Sequence, residues 1–328
     1  AGGAYVPFDP TYPSERLRYL LEDSGVKLVM TQTSLSHVLP LNGQRLVFSD
    51  NRALFDALPS ENIPVVKLGL TPDSFAYVIY TSGSTGNPKA SLLMHKGLSN
   101  LAQAQKEFFH VDGNSHVIQF ASFAFDAATS EIFMALCAGA CLHIVPKDIA
   151  QSGSELSDYV ARRGITHATL PPALLSVLDR SKWQSVVHMV VAGEQCPLGL
   201  MKEWAHDRSF YNAYGPSEAS VCSSMGQLAP DSDVVHIGKP MRGVQLYVLD
   251  ELMQPTPVGV AGQLYVGGCG VGRGYLGRNQ LNKEKFVDNP FGAQPASRAG
   301  YRQSLHRPHP DGKSASIGRV DDQVKIRG

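Results

Sequence analysis

Hydrophobic positions along the chain fall into short apolar runs, each followed by an amphipathic stretch. Residues 16–25 (RLRYLLEDSG) predict a helix stopped by Gly25, and residues 26–31 (VKLVMT) a strand. The rhythm repeats in 75–81 (FAYVIYT) with 96–109, in 130–140 with 141–146 (CLHIVP), and in 174–180 with 186–193 (VVHMVVAG). Apolar runs alternating with helical windows predict α/β layering, with mostly parallel sheets covered by helices. After about residue 225 the texture changes. The runs VQLYVLD, GQLYVGG and DDQVKI are separated by Gly and Pro with few helical windows, which predicts a β-rich subdomain. The expected division is an α/β part over 1–225, a β-rich part over 226–323, and a short stub over 324–328.

Composition narrows the function classes. The chain has 328 residues, enough for a substantial core, and Lys+Arg and Asp+Glu are both 29. That balance excludes a nucleic-acid or membrane-surface partner held by net charge. No run of 18 apolar residues appears. Five cysteines without a CxxC pair argue against a disulfide framework and against a zinc site, and fit a reducing cytoplasm. Cys137 and Cys141 stand in an apolar stretch and are expected to be buried in packing.

Two stretches carry chemistry. YTSGSTGNPKA (80–90) follows an apolar run and combines the hydroxyls of Thr81, Ser82, Ser84 and Thr85 with Gly83, Gly86 and Lys89. Such a loop can wrap phosphates, its glycines letting backbone N–H groups approach and its lysine supplying charge. A plain Ser/Gly turn leaves Lys89 without a purpose. NAYGPSEAS (212–220) offers Tyr214 as a flat face for a base, a turn at Gly215-Pro216, the Ser217 hydroxyl, and Glu218 as a carboxylate for Mg²⁺. Taken alone it reads equally well as a capped helix start. Gly272, Gly274 and Gly277 have GxGxxG spacing, but they sit in the β-rich half without a long helix after them, which disfavours a dinucleotide fold.

Together with AGGAYVPFDPTYP, FAFDAATSEIF, GQLYVGGCGVGRGYLGRNQLNKEKFVDNPF and GRVDDQVKIRG, these stretches resemble the adenylation domains of nonribosomal peptide synthetases, in order and spacing almost end to end. The wider superfamily also includes acyl-CoA synthetases and luciferases. The resemblance implies an adenylate-forming core, with layered sheets and a β-rich, barrel-like subdomain. It also implies that a preceding N-terminal segment and a following C-terminal lid are absent here, and that this core alone catalyses poorly. The implied reaction joins an amino acid's carboxylate to the α-phosphate of ATP with Mg²⁺. The phosphopantetheine thiol of a peptidyl carrier protein then accepts the acyl group.

By the same resemblance, Thr81, Ser82, Gly83, Ser84, Thr85, Gly86 and Lys89 form the phosphate loop. Asn212 and Tyr214 would meet adenine, with Gly193 and Glu194 along its edge and Gly215 shaping the turn. Ser217 would touch the α-phosphate, Glu218 would hold Mg²⁺, Arg319 would lie near the ribose, and Asp321 would be the hinge to the lid. The amino-acid pocket maps to Asp126, Ala127, Ser130, Thr169, Val190, Ala192, Ala213, Val221 and Cys222. Asp126 would hold the α-ammonium, which favours amino acids over plain carboxylates. Phenylalanine-type pockets carry a bulky aromatic where Ser130 stands, so tyrosine is the expected substrate, with phenylalanine next.

The stretch from Tyr301 to His309 departs from the family pattern and reads as an irregular loop. Where the family has Tyr-Arg-Thr-Gly-Asp-Leu, this chain has Tyr301, Arg302, Gln303, Ser304 and Leu305 and is one residue short, so the ribose-binding aspartate has no counterpart. Losing bonds to a charged acceptor costs about 1.5–3 kcal/mol, roughly ten- to a hundredfold in nucleotide affinity. The alternative is a compensated frameshift in the encoding DNA. Two other functional classes follow: a catalytically silent ligand-binding scaffold of a megasynthase, and an acyl-CoA synthetase-like ligase, which Asp126 disfavours.

Overall fold

The computed structural model describes residues 2–41, 43–51, 53, 55–56, 58–82, 87–291, 298–299, 304–308 and 311–319. Helix α1 (Ser14–Ser24) ends at Gly25, whose φ of 63° lies in the left-handed region. Strand β1 (Leu28–Thr31) then pairs in parallel with β2 (Arg45–Phe48). The short α2 (Val65–Leu68) precedes β3 (Phe75–Thr81) and β4 (Lys89–Met94). The alternating part runs α3 (His95–Phe108), β5 (His116–Gln119), α4 (Asp126–Ala138), β6 (Cys141–Ile144), α5 (Lys147–Ala150), α6 (Gly153–Arg163) and β7 (His167–Leu170). It continues through α7 (Pro172–Leu175), β8 (His188–Ala192), α8 (Leu198–Trp204) and β9 (Ser209–Tyr214). Next come β10 (Ser224–Leu228), β11 (Lys239–Pro240), β12 (Val244–Leu249), β13 (Gly262–Gly268), β14 (Gly274–Tyr275) and α9 (Asn279–Lys285). Strands β15 (Val287–Asp288), β16 (Arg298–Ala299), β17 (Ser304–Pro308) and β18 (Ser314–Arg319) complete the order.

The central sheet has seven strands in the order β11-β10-β9-β8-β7-β5-β6. β9, β8, β7, β5 and β6 are parallel, and β10 and β11 are antiparallel additions. Both faces are covered, so successive residues of one strand enter two different cores. Val117, Val190 and Tyr211 pack with Leu101, Met134 and Ala135 of α3 and α4. Ile118, Met189, Val191 and Phe210 pack on the other face with Leu156, Val160, Trp183 and Trp204. Trp183 is fully buried and its indole N–H donates to Ser157 Oγ at 2.9 Å, so truncating it costs about 3–5 kcal/mol.

Four sequence expectations meet a different structure. The run at β3 does not join a parallel sheet: it forms an antiparallel pair with β4, of which only Lys89 and Ala90 were read, as the tail of a loop. β14 adds to β4, making a three-stranded sheet apart from the central one. Ser304–Pro308 is not irregular loop but β17, hydrogen-bonded to β13 and β18 with a register shift at Leu305/His306. The β-rich sheet follows β15-β16-β13-β17-β18 with β12 on β13, a path that does not close into a barrel among the described residues. Cys137 and Cys141, expected in packing, are both exposed, because their flanking residues supply the apolar contacts: Met134, Ala135, Ala140 and Leu142.

Candidate functional site

Lys89 opens β4 opposite Thr81, the last residue of β3. Its Nζ donates to Tyr275 Oη at 2.7 Å and stands 4.3 Å from that ring's centroid. Tyr275 Oη donates in turn to Glu218 Oε1 at 2.7 Å, and Lys89 Nζ lies 3.5 Å from the same oxygen. The Lys89 and Glu218 side chains are only 12% and 4% exposed, so this is a sheltered charge pair, not a surface one.

The chain segment around β14 brings these groups together. Gly272 N–H donates to Glu218 O at 2.8 Å, Arg273 N–H to Leu92 O at 2.9 Å, and Leu276 N–H to Ala90 O at 2.9 Å. A Cβ at Gly272 would meet Leu92 O at 2.8 Å and Glu218 O at 3.1 Å, so this glycine permits close backbone approach. That accounts for it without a dinucleotide. Asn282 fixes Tyr275 from behind, accepting from its N–H at 2.6 Å and donating to its carbonyl at 2.8 Å.

Glu218 lies in a single 3-10 turn, Ser217–Ala219, after Pro216. The turn reverses tightly: a Cβ on Gly215 would come within 2.7 Å of Cys222 Cα. Ser220 and Val221 are both left-handed, at φ 57° and 68°. Ser220 Oγ donates to Gly270 O at 2.7 Å, which helps hold this conformation. For a β-branched residue such as Val221 the conformation is strained by about 1–3 kcal/mol.

The residues expected to form the amino-acid pocket converge on one side of the central sheet. Thr169 pairs with Val190, Ala192 pairs with Ala213, and Val190 and Ala192 are two apart on β8, so all four project from one face. Val190, Ala213 and Cys222 share a core cluster with Met134 and Ala135 of α4, and Val221 packs against it. Helix α4 opens with Asp126 and Ala127 and carries Ser130 one turn later. Burial pushes the Cys222 thiol up to about 12, and the nearby Asp126 carboxylate adds to it. Burial also raises Tyr77 well above its ordinary range, again with an Asp126 contribution. Tyr5, from the segment AGGAYVPFDP, hydrogen-bonds Thr129 at 2.8 Å and stacks on Tyr77, so the amino-terminal stretch lines the same region.

Ser130 Oγ donates to Gln105 Oε1 at 2.8 Å, and both residues are buried. Neither Gln105 nor Tyr275 was singled out from the sequence. The available signal for Gln105 was a polar residue at helical spacing from Leu98 and Leu101, on the buried face of α3.

The remaining expected residues divide. Asn212 is buried, and its side-chain amide donates to His236 O at 3.0 Å. Tyr214, at the end of β9, meets His306 edge to face at 5.1 Å between centroids. Gly193, left-handed at φ 87°, and half-buried Glu194 follow the adjacent end of β8. Ser217 is half-buried beside Glu218. Thr81 Oγ1 is buried without a hydrogen-bond partner among the described residues, while Ser82 is exposed. Arg319 ends β18. Gly83, Ser84, Thr85, Gly86 and Asp321 lie outside the described residues, as do Tyr301, Arg302 and Gln303.

Comparison with known proteins follows the same outline. The family model of AMP-binding enzymes matches residues 1–276. Bacitracin synthase 3 of Bacillus licheniformis is 42% identical over 333 aligned residues, which cover 100% of this chain and 5% of that protein. Gramicidin S synthase 1 of Brevibacillus brevis is 39% identical, again over all of this chain, and 30% of that protein is covered. A four-domain nonribosomal peptide synthetase bound to AMP and glycine matches with a TM-score of 0.83 at 28% identity, covering 99% of this chain and 24% of that one. An artificially fused adenylation–PCP di-domain from Klebsiella oxytoca matches with a TM-score of 0.86 at 25% identity, covering 99% of this chain and 65% of that one. The chain thus spans less than a third of the length of both synthases.

Proposed function

Because the chain belongs to the AMP-binding enzyme family, as an adenylation-domain core of the nonribosomal peptide synthetase type, we propose that it activates an aromatic amino acid, tyrosine before phenylalanine. The carboxylate oxygen attacks the α-phosphorus of ATP, the bond to the bridging oxygen breaks, and pyrophosphate leaves with that electron pair. The product is an aminoacyl-adenylate, to be taken by the phosphopantetheine thiol of a peptidyl carrier protein in a reducing cytoplasm.

The observation that carries this reading is the placement of Glu218 and Cys222 on one turn. Glu218 faces Lys89 across 3.5 Å, and Cys222 packs in the core cluster with Met134 and Ala135 of α4, the helix that Asp126 opens. On this reading, the lysine proposed for phosphate and the helix that opens with the aspartate proposed for the ammonium both meet the four-residue step from Glu218 to Cys222. In-line phosphoryl transfer asks for this kind of positioning and charge neutralisation rather than covalent help.

Each residue's part follows from its chemistry. Lys89 places its charge against the phosphate oxygens. Tyr275 holds Glu218 Oε1, so the other carboxylate oxygen would be the one to take a cation, and a carboxylate alongside phosphates suits Mg²⁺. When bound, Mg²⁺ neutralises charge on the phosphates. Asp126 pairs with the α-ammonium, and Thr169, Val190, Ala192 and Ala213 form small or apolar walls for the ring.

Ser130 bears on tyrosine through the direction of its proton. With that proton directed at Gln105, Ser130 Oγ is left as an acceptor. A phenol donates to such an oxygen, whereas a phenyl ring leaves it unpaired.

Calorimetry with non-hydrolysable aminoacyl-sulfamoyl adenosines tests the reading. The tyrosyl compound is expected to bind most tightly, followed by phenylalanyl, with glycyl and dodecanoyl far weaker. Binding of none of the four identifies a silent scaffold, and preference for the dodecanoyl compound identifies a fatty-acid ligase.

A further inference from the structure

Away from this cleft, one group of side chains has the composition of a metal site. β5 and β6 pair in parallel with His116 opposite Cys141 and Ile118 opposite His143. Cys141 and His143 are two apart on β6, so they share a face with each other and with His116. Leu142 between them points the other way, into the core beneath α3 and α4. Sheet register alone therefore gathers a Cys-x-His pair and a second histidine that is 27 residues from His143 in sequence.

The donor atoms are already close. His116 Nδ1 and His143 Nε2 are 2.8 Å apart, and the two rings stack at 5.0 Å with an interplanar angle of 28°. All three donor atoms, with Cys141 Sγ, lie within 4.8 Å of one another. Two imidazoles on a tetrahedral zinc ion have nitrogens about 3.3 Å apart, from bonds of about 2.0–2.1 Å. The metal-free pair thus needs to open by only about half an ångström. Cys141 is exposed and β6 is the edge strand of the central sheet, so an ion reaches the site from solvent without any rearrangement of the core.

We propose that His116 Nδ1, His143 Nε2 and Cys141 Sγ form a binding site for a divalent d-block cation of the zinc class, with a fourth position open to water. On binding, the Cys141 thiol loses its proton to solvent, the imidazole that donates in the His116–His143 hydrogen bond moves its proton to its other ring nitrogen, and the thiolate and the two freed lone pairs coordinate the ion. The thiolate charge offsets Arg163 of α6, the charged group close to His143. His116 and Cys141 begin β5 and β6 and His143 lies two residues further on, whereas Ser122 and Asp126 follow the carboxy-terminal end of β5. The ion is therefore outside the adenylation chemistry and pins the sheet edge.

Cobalt titration of the full chain tests this directly. Expected is one Co²⁺ per chain, with a thiolate-to-cobalt charge-transfer band in the near ultraviolet that Zn²⁺ abolishes. Cys141→Ser removes the band, and His143→Gln weakens binding at least about tenfold. Cys137→Ser is the control, since Cys137 is equally an exposed cysteine but is not in the cluster; it leaves the band intact. No charge-transfer band at equimolar cobalt overturns the proposal. So does a band that survives Cys141→Ser, or one that is unaffected by His143→Gln.

Discussion

Tyr275 donates its phenolic hydrogen to Glu218 while accepting one from Lys89, each at 2.7 Å. The tyrosine thus orders two groups of opposite charge that carry the proposed phosphate chemistry, and Asn282 holds it by its backbone. Tyr275→Phe keeps the ring packed on Phe286 but removes both bonds. Hydrogen bonds to charged groups contribute about 1.5–3 kcal/mol, and the direct Lys89–Glu218 contact persists at 3.5 Å. A stability loss of about 1–3 kcal/mol in urea unfolding is expected, with weaker ATP·Mg²⁺ binding by calorimetry. Unchanged binding would show that the phenol only packs.

Ser130 and Gln105 set up a second test. If the Ser130 oxygen acts as an acceptor because its proton is committed to Gln105, a phenol gains about 0.5–1.5 kcal/mol over a phenyl ring, roughly two- to tenfold. Ser130→Ala should erase the preference for tyrosyl over phenylalanyl ligands. Gln105→Leu should reduce it by releasing the hydroxyl to rotate. Both variants are read by the affinity ratio of the two sulfamoyl adenosines, which a general loss of stability does not change in a directed way.

The same two residues show what the sequence could and could not disclose. Local features were legible: the stop of α1 at Gly25 and the strand at β3 follow from propensity and period, whereas Asp126 and Ser130 were placed by the family resemblance alone. Partnerships across the chain were not. Ser130 and Gln105 are 25 residues apart, Tyr275 is 57 from Glu218 and 186 from Lys89, and no periodicity links such positions. Lys89 was read for its charge, which hid that it also begins a strand. In 268–278 the glycines drew attention, whereas their reason is the close passage of Gly272 by Leu92 and Glu218. Cys141 was read as packing and the cysteines as no zinc site, and His116 and His143 were not read at all, since only strand register puts the three side by side.

Val221 offers a test of strain in the proposed pocket. Its φ of 68° is one that valine rarely adopts, and glycine accepts it without penalty. Val221→Gly loses side-chain packing at the edge of the core but relieves the backbone. A net change within about 1 kcal/mol is expected in place of the larger loss usual for deleting a packed valine. The enlarged pocket should also bind the tyrosyl ligand less tightly. A full cavity-type destabilisation in urea unfolding would show that the turn carries no strain.

Buried ionisable groups give opposite pH slopes that can be separated. Glu131 is buried and accepts from the backbone N–H groups of Phe120 and Ala121, both at 3.1 Å, yet burial pushes its carboxyl up to about 8. Its folded form holds a proton that the unfolded chain releases near 4.5, so its stabilisation is complete below 4.5 and is lost as pH rises through 8. His167 and His306 are pushed down to about 4 by burial, so theirs is complete above 6.5 and is lost as pH falls through 4. Between 4.5 and 6.5 the slopes oppose; between 6.5 and 8 Glu131 acts without them. Glu131→Gln, neutral at every pH, should therefore abolish the decline in stability from pH 6.5 to 8. It should also uncover a rise from pH 4.5 to 6.5 due to the histidines. Urea unfolding at half-unit pH steps reads both, and a decline above pH 6.5 that persists in Glu131→Gln would mean that the carboxyl is ionised in the fold.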